Sequence, residues 1–185
     1  MKKHVRRAEK NPREKATAKK SSPKKKVAYG KIILKRILVP IDFSDNSKKA
    51  LRYAIPLAQQ FGASIVLMNV IEPTVFPSDF GFGQMNFPDV EQELVHKAEQ
   101  ELQGIIDGVS TPVKIFSIVK SGIPFVEVTN YADEEEIDLI IVATHGRTGV
   151  EHILFGSTAE KIIRKAPCPA LVVRAEERDF IDERV

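Results

Sequence analysis

Tryptophan is absent from this 185-residue chain, and cysteine occurs only once, at Cys168. A single cysteine excludes an internal disulfide framework and is typical of proteins that fold in a reducing cytoplasm. The chain also lacks a run of about 18 apolar residues, so no transmembrane helix is predicted. Its first residues contain no apolar segment of the kind found in a secretory signal. We therefore expect a soluble, cytoplasmic protein without disulfide bonds.

The sequence also lacks the short motifs of the common enzymes with alternating strands and helices. It contains no G-x-x-x-x-G-K-[ST] phosphate loop, no G-x-G-x-x-G after the first predicted strand and no G-x-S-x-G nucleophile elbow. Its four histidines show no metal-ligand spacing. Because His145 has no Ser, Cys or carboxylate partner in the pattern, we interpret it as structural and predict no catalytic residue.

Charge is distributed unevenly along the chain. Residues 1–30 contain twelve Lys and Arg against Glu9 and Glu14, a net charge of +10, and since the whole chain carries +3 the remainder carries −7. The same thirty residues hold too few apolar side chains to offset the entropy cost of ordering. We predict a disordered basic arm over 1–30, a folded domain over 31–175 and a charged tail over 176–185. The arm either binds nucleic acid without sequence preference or serves only as a solubilising tail.

Short apolar segments alternate with amphipathic ones through the rest of the chain. Ser44 is the expected N-cap of the first helix, Pro56 should kink that helix and Gly62 should end it. This alternation is typical of a doubly wound parallel α/β sheet with helices on both faces. The predicted strands are 32–34 with 36–41, 64–70, 113–118, 137–142 and 170–173; the predicted helices are 45–61, 89–106, 122–134 and 157–165; and 72–88, with its four phenylalanines, is a predicted loop.

The most informative segment follows the predicted strand 137–142. Gly146 and Gly156 bracket a loop there, and Gly156-Ser157-Thr158 stands where the last helix begins. The first turn of a helix offers free backbone N–H groups and a positive dipole end, and glycine lets an anion approach the backbone. Ser157 and Thr158 add hydroxyl donors, and Arg147 either reaches a phosphate or faces water. The segment therefore predicts a phosphate site.

This region resembles a known family. A-T-H-G-R-T-G, then F-G-S-T-A-E-K-I and A-P-C-P-A-L-V-V-R, are similar to the carboxyl-terminal half of universal stress protein domains. R-I-L-V-P-I-D-F-S at 36–44 resembles the family's opening strand and its aspartate. The resemblance covers roughly residues 31–175. It implies five parallel strands in the order 3-2-1-4-5, with strands 1 and 4 as neighbours and a ligand crevice between them.

The resemblance also implies a site and a ligand. Nucleotide-binding members carry G-x2-G-x9-G-[ST], to which Gly146, Gly156 and Ser157 correspond, whereas Ala143 replaces the first glycine. Asp42 would lie at the nucleoside end, where it either binds ribose or a divalent ion or only shapes its turn. The implied ligand is ATP, with Mg²⁺ or Mn²⁺ as a candidate companion, and the implied assembly is a homodimer through 170–173. The residues implied to contact the nucleotide are Ile41, Asp42, Val70, Val142, Ala143, Gly146, Arg147, Gly156, Ser157 and Thr158.

Two functional interpretations remain at the sequence level. The leading one is a small cytoplasmic regulatory protein of the stress response that binds ATP and is not an enzyme. The alternative is a family member that binds no nucleotide and acts by protein association, with the basic arm tethering it to nucleic acid. Ala143 keeps the alternative open. Slow ATP hydrolysis has no evident catalytic base to support it.

Overall fold

The computed structural model describes residues 30–73, 88–144, 156–176 and Ile181. The chain divides into two units, Met1–Lys31 and Ile32–Val185, and the second is described below. Several predicted features lie outside the described residues: the basic arm at 1–29, most of the phenylalanine-rich loop, most of the tail, and the segment 145–155 with His145, Gly146 and Arg147. The predicted domain boundaries therefore stay predictions.

Strands and helices alternate through the described residues, as the sequence pattern predicts. All strand pairs are parallel, and the order across the sheet is β3-β2-β1-β4-β5, which confirms the predicted doubly wound α/β fold. The elements are β1 (Arg36–Pro40), α1 (Asp45–Phe61), β2 (Ser64–Ile71), α2 (Pro88–Asp107), β3 (Ile115–Ser121), α3 (Pro124–Glu134), β4 (Leu139–Ala143), α4 (Ser157–Lys165) and β5 (Ala170–Val173).

The ends of α1 follow from local chemistry. Ser44 is the N-cap, and its Oγ accepts a hydrogen bond from the Ser47 amide at 3.2 Å. Gly62 closes the helix in the left-handed conformation with φ 69°, and its N–H donates to the Ala58 carbonyl. Both capping predictions are confirmed. Pro56 lies inside the helix, and the kink expected there stays a prediction.

The core lies on both faces of the sheet. Successive residues of β1 alternate between the faces, so that Ile37 packs with one buried cluster and Leu38 with the other. Helices α1 and α2 cover the first face, whereas α3 and α4 cover the second. Full burial of one such side chain contributes about 1.5–3 kcal/mol, so the central strands provide much of the stability. The largest fully buried side chains include Ile37, Leu38, Ile65, Leu67, Met68, Leu102, Ile140, Ile141 and Ile162.

The prediction that residues 32–34 belong to the first strand was wrong. Strand β1 begins at Arg36, and the side chains of Ile32 and Ile33 are both 68% exposed. The Asp138 carboxylate explains this start, because its Oδ2 accepts the amides of Lys35 at 2.7 Å and Arg36 at 2.9 Å. Asp138, about a hundred positions along the chain, therefore takes the backbone amides that a longer β1 would use to pair with a neighbouring strand.

Strands β3 and β4 also differ from prediction at both ends, and β1 and β2 each end one residue away from the predicted position. Strand β4 spans Leu139–Ala143 rather than 137–142, because the Ile137 amide still bonds the Ala132 carbonyl at the end of α3. Strand β3 spans Ile115–Ser121 rather than 113–118, because it pairs residue by residue with β2 up to Ile71. In each case the neighbouring element sets the boundary.

Candidate functional site

The predicted crevice lies where β1 and β4 run side by side. Their register pairs Ile37 with Leu139 and Leu38 with Ile140. The chain leaves β1 toward α1 on one face, and it reaches α4 on the opposite face after β4. Opposite departures from neighbouring parallel strands open a crevice at their carboxyl ends. Asp42 follows β1 and Thr144 follows β4, so both lie at this edge of the sheet.

Asp42 is held by the turn that leads into α1. Its Oδ1 accepts hydrogen bonds from the Ser44 amide at 3.1 Å and from the Ser44 hydroxyl at 2.6 Å. Between them, Phe43 has φ 67°, a left-handed conformation that costs a non-glycine residue about 1–2 kcal/mol. Such strain is common at binding sites. The hydrogen bonds to Ser44 therefore shape this turn, and they also fix the direction in which the Asp42 carboxylate points.

Ile41 is anchored through both of its backbone groups. Its amide donates to the Met68 carbonyl at 2.8 Å, and its carbonyl accepts from Nδ2 of Asn69 at 2.7 Å. Asn69 is only 8% exposed and was missed by the sequence analysis. The signal that could have revealed it is a lone amide inside the apolar strand S-I-V-L-M-N-V-I.

The apolar residues implied to contact the nucleotide divide between the two faces of the sheet. Ile41 is buried in the cluster covered by α1, and Ala143 packs against that same cluster. Val142, which is 5% exposed, belongs to the opposite cluster, and Val70 packs against it. Ile41 and Ala143 therefore lie on one face of the sheet, whereas the buried Val142 and the partly buried Val70 lie on the other.

The start of α4 is held directly against the end of β4. The Gly156 amide donates to the Thr144 carbonyl at 2.7 Å, and the Thr144 amide donates to the Val173 carbonyl at 2.9 Å. A Cβ on residue 156 would stand 3.1 Å from that Thr144 carbonyl oxygen, which is tighter than ordinary van der Waals contact. A side chain at this position would therefore have to push the two segments apart by a few tenths of an ångström, so the close approach favours glycine. Thr144, 1% exposed, was also missed by the sequence analysis, although it stands inside the A-T-H-G motif.

Gly156 is also the N-cap of α4, with φ −64° and ψ 150°. Since glycine has no side chain, it cannot satisfy the first amides of the helix, which are the groups that anions bind. Ser157 and Thr158 occupy the first turn and are at least partly exposed. Three predicted phosphate contacts thus stand together at one helix start, while Gly146 and Arg147 lie outside the described residues.

The sequence profile of the Universal stress protein family matches residues 34–174. The chain belongs to the universal stress protein family. A universal stress protein of Methanocaldococcus jannaschii is 32% identical over 155 residues, which cover 83% of this chain and 89% of that protein.

Solved structures of universal stress proteins share the fold. Universal stress protein UspA from Lactobacillus plantarum is 26% identical, with a TM-score of 0.63 over 78% of this chain and all of that one. A universal stress protein in complex with cAMP is 20% identical, with a TM-score of 0.50 over 77% of this chain and 98% of that one. At that identity the second likeness concerns the fold alone.

Other features of this universal stress protein domain lie away from the strand ends. A cavity of about 480 Å³ opens between α2 and β3 and is lined by polar side chains such as His96 and Glu99 with Ser117. Within the described ranges, no three His, Cys, Asp or Glu side chains cluster as metal ligands, and no helix is long and apolar enough to cross a membrane.

Cys168 packs against the core on the face covered by α3 and α4. Burial raises the pKa of its thiol, and the nearby Asp138 carboxylate raises it further. A raised pKa disfavours the reactive thiolate. The position of Cys168 and the raised pKa of its thiol therefore favour a small packed residue over a reactive one.

Proposed function

We propose that this chain binds an adenine nucleotide, with ATP as the leading candidate, at the carboxyl ends of β1 and β4. It would act in the stress response as a regulatory protein rather than as an enzyme. One observation carries the proposal: Gly156 brings the start of α4, which has no side-chain cap, against Thr144, so closely that an added Cβ would stand only 3.1 Å from the Thr144 carbonyl oxygen. This arrangement suits a phosphate group that must lie against backbone amides.

The two halves of the crevice offer different chemistry. On the α4 side, backbone amides, the positive end of the helix dipole and the hydroxyls of Ser157 and Thr158 favour phosphate. On the β1 side, the oriented carboxylate of Asp42 offers an acceptor for ribose hydroxyls. A nucleotide presents both groups at opposite ends. The solved cAMP complex of another universal stress protein supports the proposal in one respect, since it shows that this fold can accommodate an adenine nucleotide.

A divalent ion would be held mainly by the nucleotide itself. Mg²⁺ is commonly bound by one or two carboxylates together with phosphates and water, so the described residues need not form a cage of their own. Asp42 is the carboxylate that follows β1 and could complete such a coordination shell. Mg²⁺ or Mn²⁺ is accordingly proposed as a companion of ATP and not as a resident metal.

The test of ligand identity is mass spectrometry of the nucleotide released when freshly purified protein is denatured. We expect ATP, or ADP derived from it, in an amount that rises with protein concentration. Protein carrying Gly156→Val serves as the control and should release much less, since its α4 start is obstructed. Equal nucleotide from both proteins would place the ligand elsewhere.

The second candidate function is association with another protein without a nucleotide. Ala143, the last residue of β4, favours it because its methyl group replaces a glycine hydrogen at the end of the strand. Alanine keeps the backbone N–H, however, so the position still offers a donor. Absence of nucleotide in the denatured sample, together with no response to added ATP, would support this candidate.

Absence of catalysis is part of the proposal. The carboxylate next to the crevice, Asp42, accepts two hydrogen bonds from Ser44 and is therefore already engaged in the turn. A general base must remain available to take a proton from water. We therefore expect ATP to remain intact over many minutes with the protein, and phosphate release that increases with protein concentration and disappears in Asp42→Ala would contradict this.

Assembly and location complete the proposal. Strand β5 pairs only with β4 within the described chain, and its sequence A-L-V-V is wholly apolar. Unpaired apolar edges favour pairing with a second copy, so we propose a homodimer through Ala170–Val173.

The single cysteine supports a cytoplasmic location. The basic residues at 1–30 are proposed as a contact for nucleic acid that does not depend on sequence.

A further inference from the structure

Asn69 is a buried polar residue in a strand that is otherwise apolar where it crosses the core. It is 8% exposed, whereas Ile65, Leu67 and Met68 of the same strand are at most 1% exposed. We propose that Asn69 is a positioning residue: by holding the Ile41 carbonyl, it orients the turn that presents Asp42 to the nucleoside. This inference rests on the proposed nucleotide binding and assigns a cause to the shape of one half of that site.

The geometry connects Asn69 to Asp42 through one peptide unit. The Ile41 carbonyl and the Asp42 amide belong to the same planar group, so fixing one fixes the other. Nδ2 of Asn69 holds that carbonyl at 2.7 Å, and the Met68 carbonyl holds the Ile41 amide at 2.8 Å. Two consecutive residues of β2 therefore hold two successive peptides: Met68 holds the one between Pro40 and Ile41, and Asn69 holds the one between Ile41 and Asp42.

The turn itself begins at this fixed peptide. Phe43 adopts φ 67°, and Ser44 bonds back to the Asp42 carboxylate before capping α1. If the peptide between Ile41 and Asp42 rotated, Asp42 would rotate with it, and Phe43 would be able to adopt a less strained backbone conformation. The bond from Asn69 removes that alternative without touching the ligand.

Packing alone does not explain an amide at this position. Burying an amide is unfavourable unless it is hydrogen-bonded, whereas an apolar side chain would suit a buried strand. Strand β1 ends at Pro40, so the carbonyl of Ile41 lies just beyond the regular strand. A side-chain donor satisfies that carbonyl. The amide thus fixes local geometry at the edge of the proposed site.

Three variants separate positioning from general stability. Asn69→Asp keeps the shape but, when ionised, can only accept hydrogen bonds and so cannot hold the Ile41 carbonyl. Asn69→His restores an N–H donor at similar reach and serves as the rescue. Gln59→Leu is the matched control, because it removes another side-chain amide bond, to Thr111 at 3.1 Å, near the opposite end of α1.

The measurement is the dissociation constant of ATP and of adenosine, by calorimetry, with the thermal midpoint recorded for each protein. Asn69→Asp should weaken adenosine about tenfold, because one hydrogen bond in the nucleoside half is lost, and should weaken ATP at least as much, because the added carboxylate also repels its phosphates. Asn69→His should recover most of that loss. Gly156→Val should instead weaken ATP and spare adenosine, because it obstructs the phosphate half.

Each remaining outcome has a defined meaning. Unchanged affinities in Asn69→Asp, or a loss that Asn69→His does not relieve, would overturn the positioning role. In the uncharged Asn69→Leu, a larger loss for ATP than for adenosine would also overturn it, because the effect would then extend to the phosphate half. If Asn69→Asp does not fold, Asn69→Leu removes the donor without adding charge and carries the same expectation. Wild-type protein that binds neither ligand would contradict the proposed function itself and the inference with it.

Discussion

At the scale of single residues, Gly156 is the position where an added Cβ would press on the end of β4. A Cβ would stand 3.1 Å from the Thr144 carbonyl, so a branched side chain must displace α4 from β4 or cover its first amides. We expect Gly156→Val to weaken ATP binding by at least about tenfold, which corresponds to about 1.4 kcal/mol. Gly104→Val is the control, because a Cβ at Gly104 meets nothing within 4 Å. Equal dissociation constants for Gly156→Val and wild type would show that phosphate does not bind at this helix.

Asp42 combines a turn role with a proposed ligand role, and two substitutions distinguish them. Asp42→Asn keeps an oxygen that can accept from Ser44 but loses the charge, whereas Asp42→Ala loses both. We expect Asp42→Ala to weaken adenosine binding by roughly 1–3 kcal/mol, and Asp42→Asn to lie between Ala and wild type. If titration shows that Asp42→Ala binds adenosine as tightly as the wild-type protein, Asp42 shapes the turn and does not contact the ligand.

At the scale of elements, Asp138 links the starts of β1 and β4. Its carboxylate accepts two amides of the chain entering β1, and its own amide donates to the Arg36 carbonyl at 3.0 Å. Because one of the accepted amides is solvent-exposed, we expect Asp138→Ala to lower the free energy of unfolding by only about 1–2 kcal/mol. Urea unfolding measures this change, with the exposed Glu134→Ala as control. A loss no greater than that of the control would mean that β1 needs no such anchor.

The edge of β5 that pairs with no other described strand is the basis of the prediction about assembly. At the other edge of the sheet, β3 contains Lys120, a residue type that discourages edge pairing, whereas β5 carries no charge. We expect sedimentation equilibrium to show a dimer at micromolar concentration. A monomer throughout that range would rule out the proposed pairing.

Sequence patterns predicted the boundaries of helices and strands most accurately where those boundaries depend on residues nearby in the chain. The caps of α1 at Ser44 and Gly62, the whole of α4 and the limits of β5 agree with prediction because glycine, serine and proline act locally. The starts of β1 and β4 do not agree with prediction. The start of β1 depends on the distant Asp138 carboxylate, and the start of β4 depends on the hydrogen bond from the Ile137 amide to the Ala132 carbonyl of α3.

The site shows the same division. The helix start at Gly156 was recognisable from its motif, since glycine and hydroxyl residues there have a direct chemical meaning. Asn69 and Thr144 were not found, because each acts through hydrogen bonds with another residue's backbone. A pattern of residue types does not reveal such contacts before the strands are placed side by side.

At the scale of the whole molecule, charge separates the arm from the domain. Residues 1–30 carry +10 and the remainder −7, so only the arm should attract a polyanion. With about five phosphate contacts on duplex DNA, the slope of log affinity against log salt should be near −4.5. Deleting residues 1–30 should abolish this binding and leave ATP affinity unchanged. DNA binding that survives the deletion would place the contact on the domain, and its absence from full-length protein at low salt would leave the arm a solubilising tail.

The central claim is that this universal stress protein domain holds ATP between β1 and β4. Calorimetric titration of ATP into wild-type protein freed of copurified nucleotide tests it most directly. The account predicts a saturable transition with one ATP per chain, and its weakening in Gly156→Val. No heat of binding from wild-type protein, in a sample that mass spectrometry shows to be free of nucleotide, would contradict it.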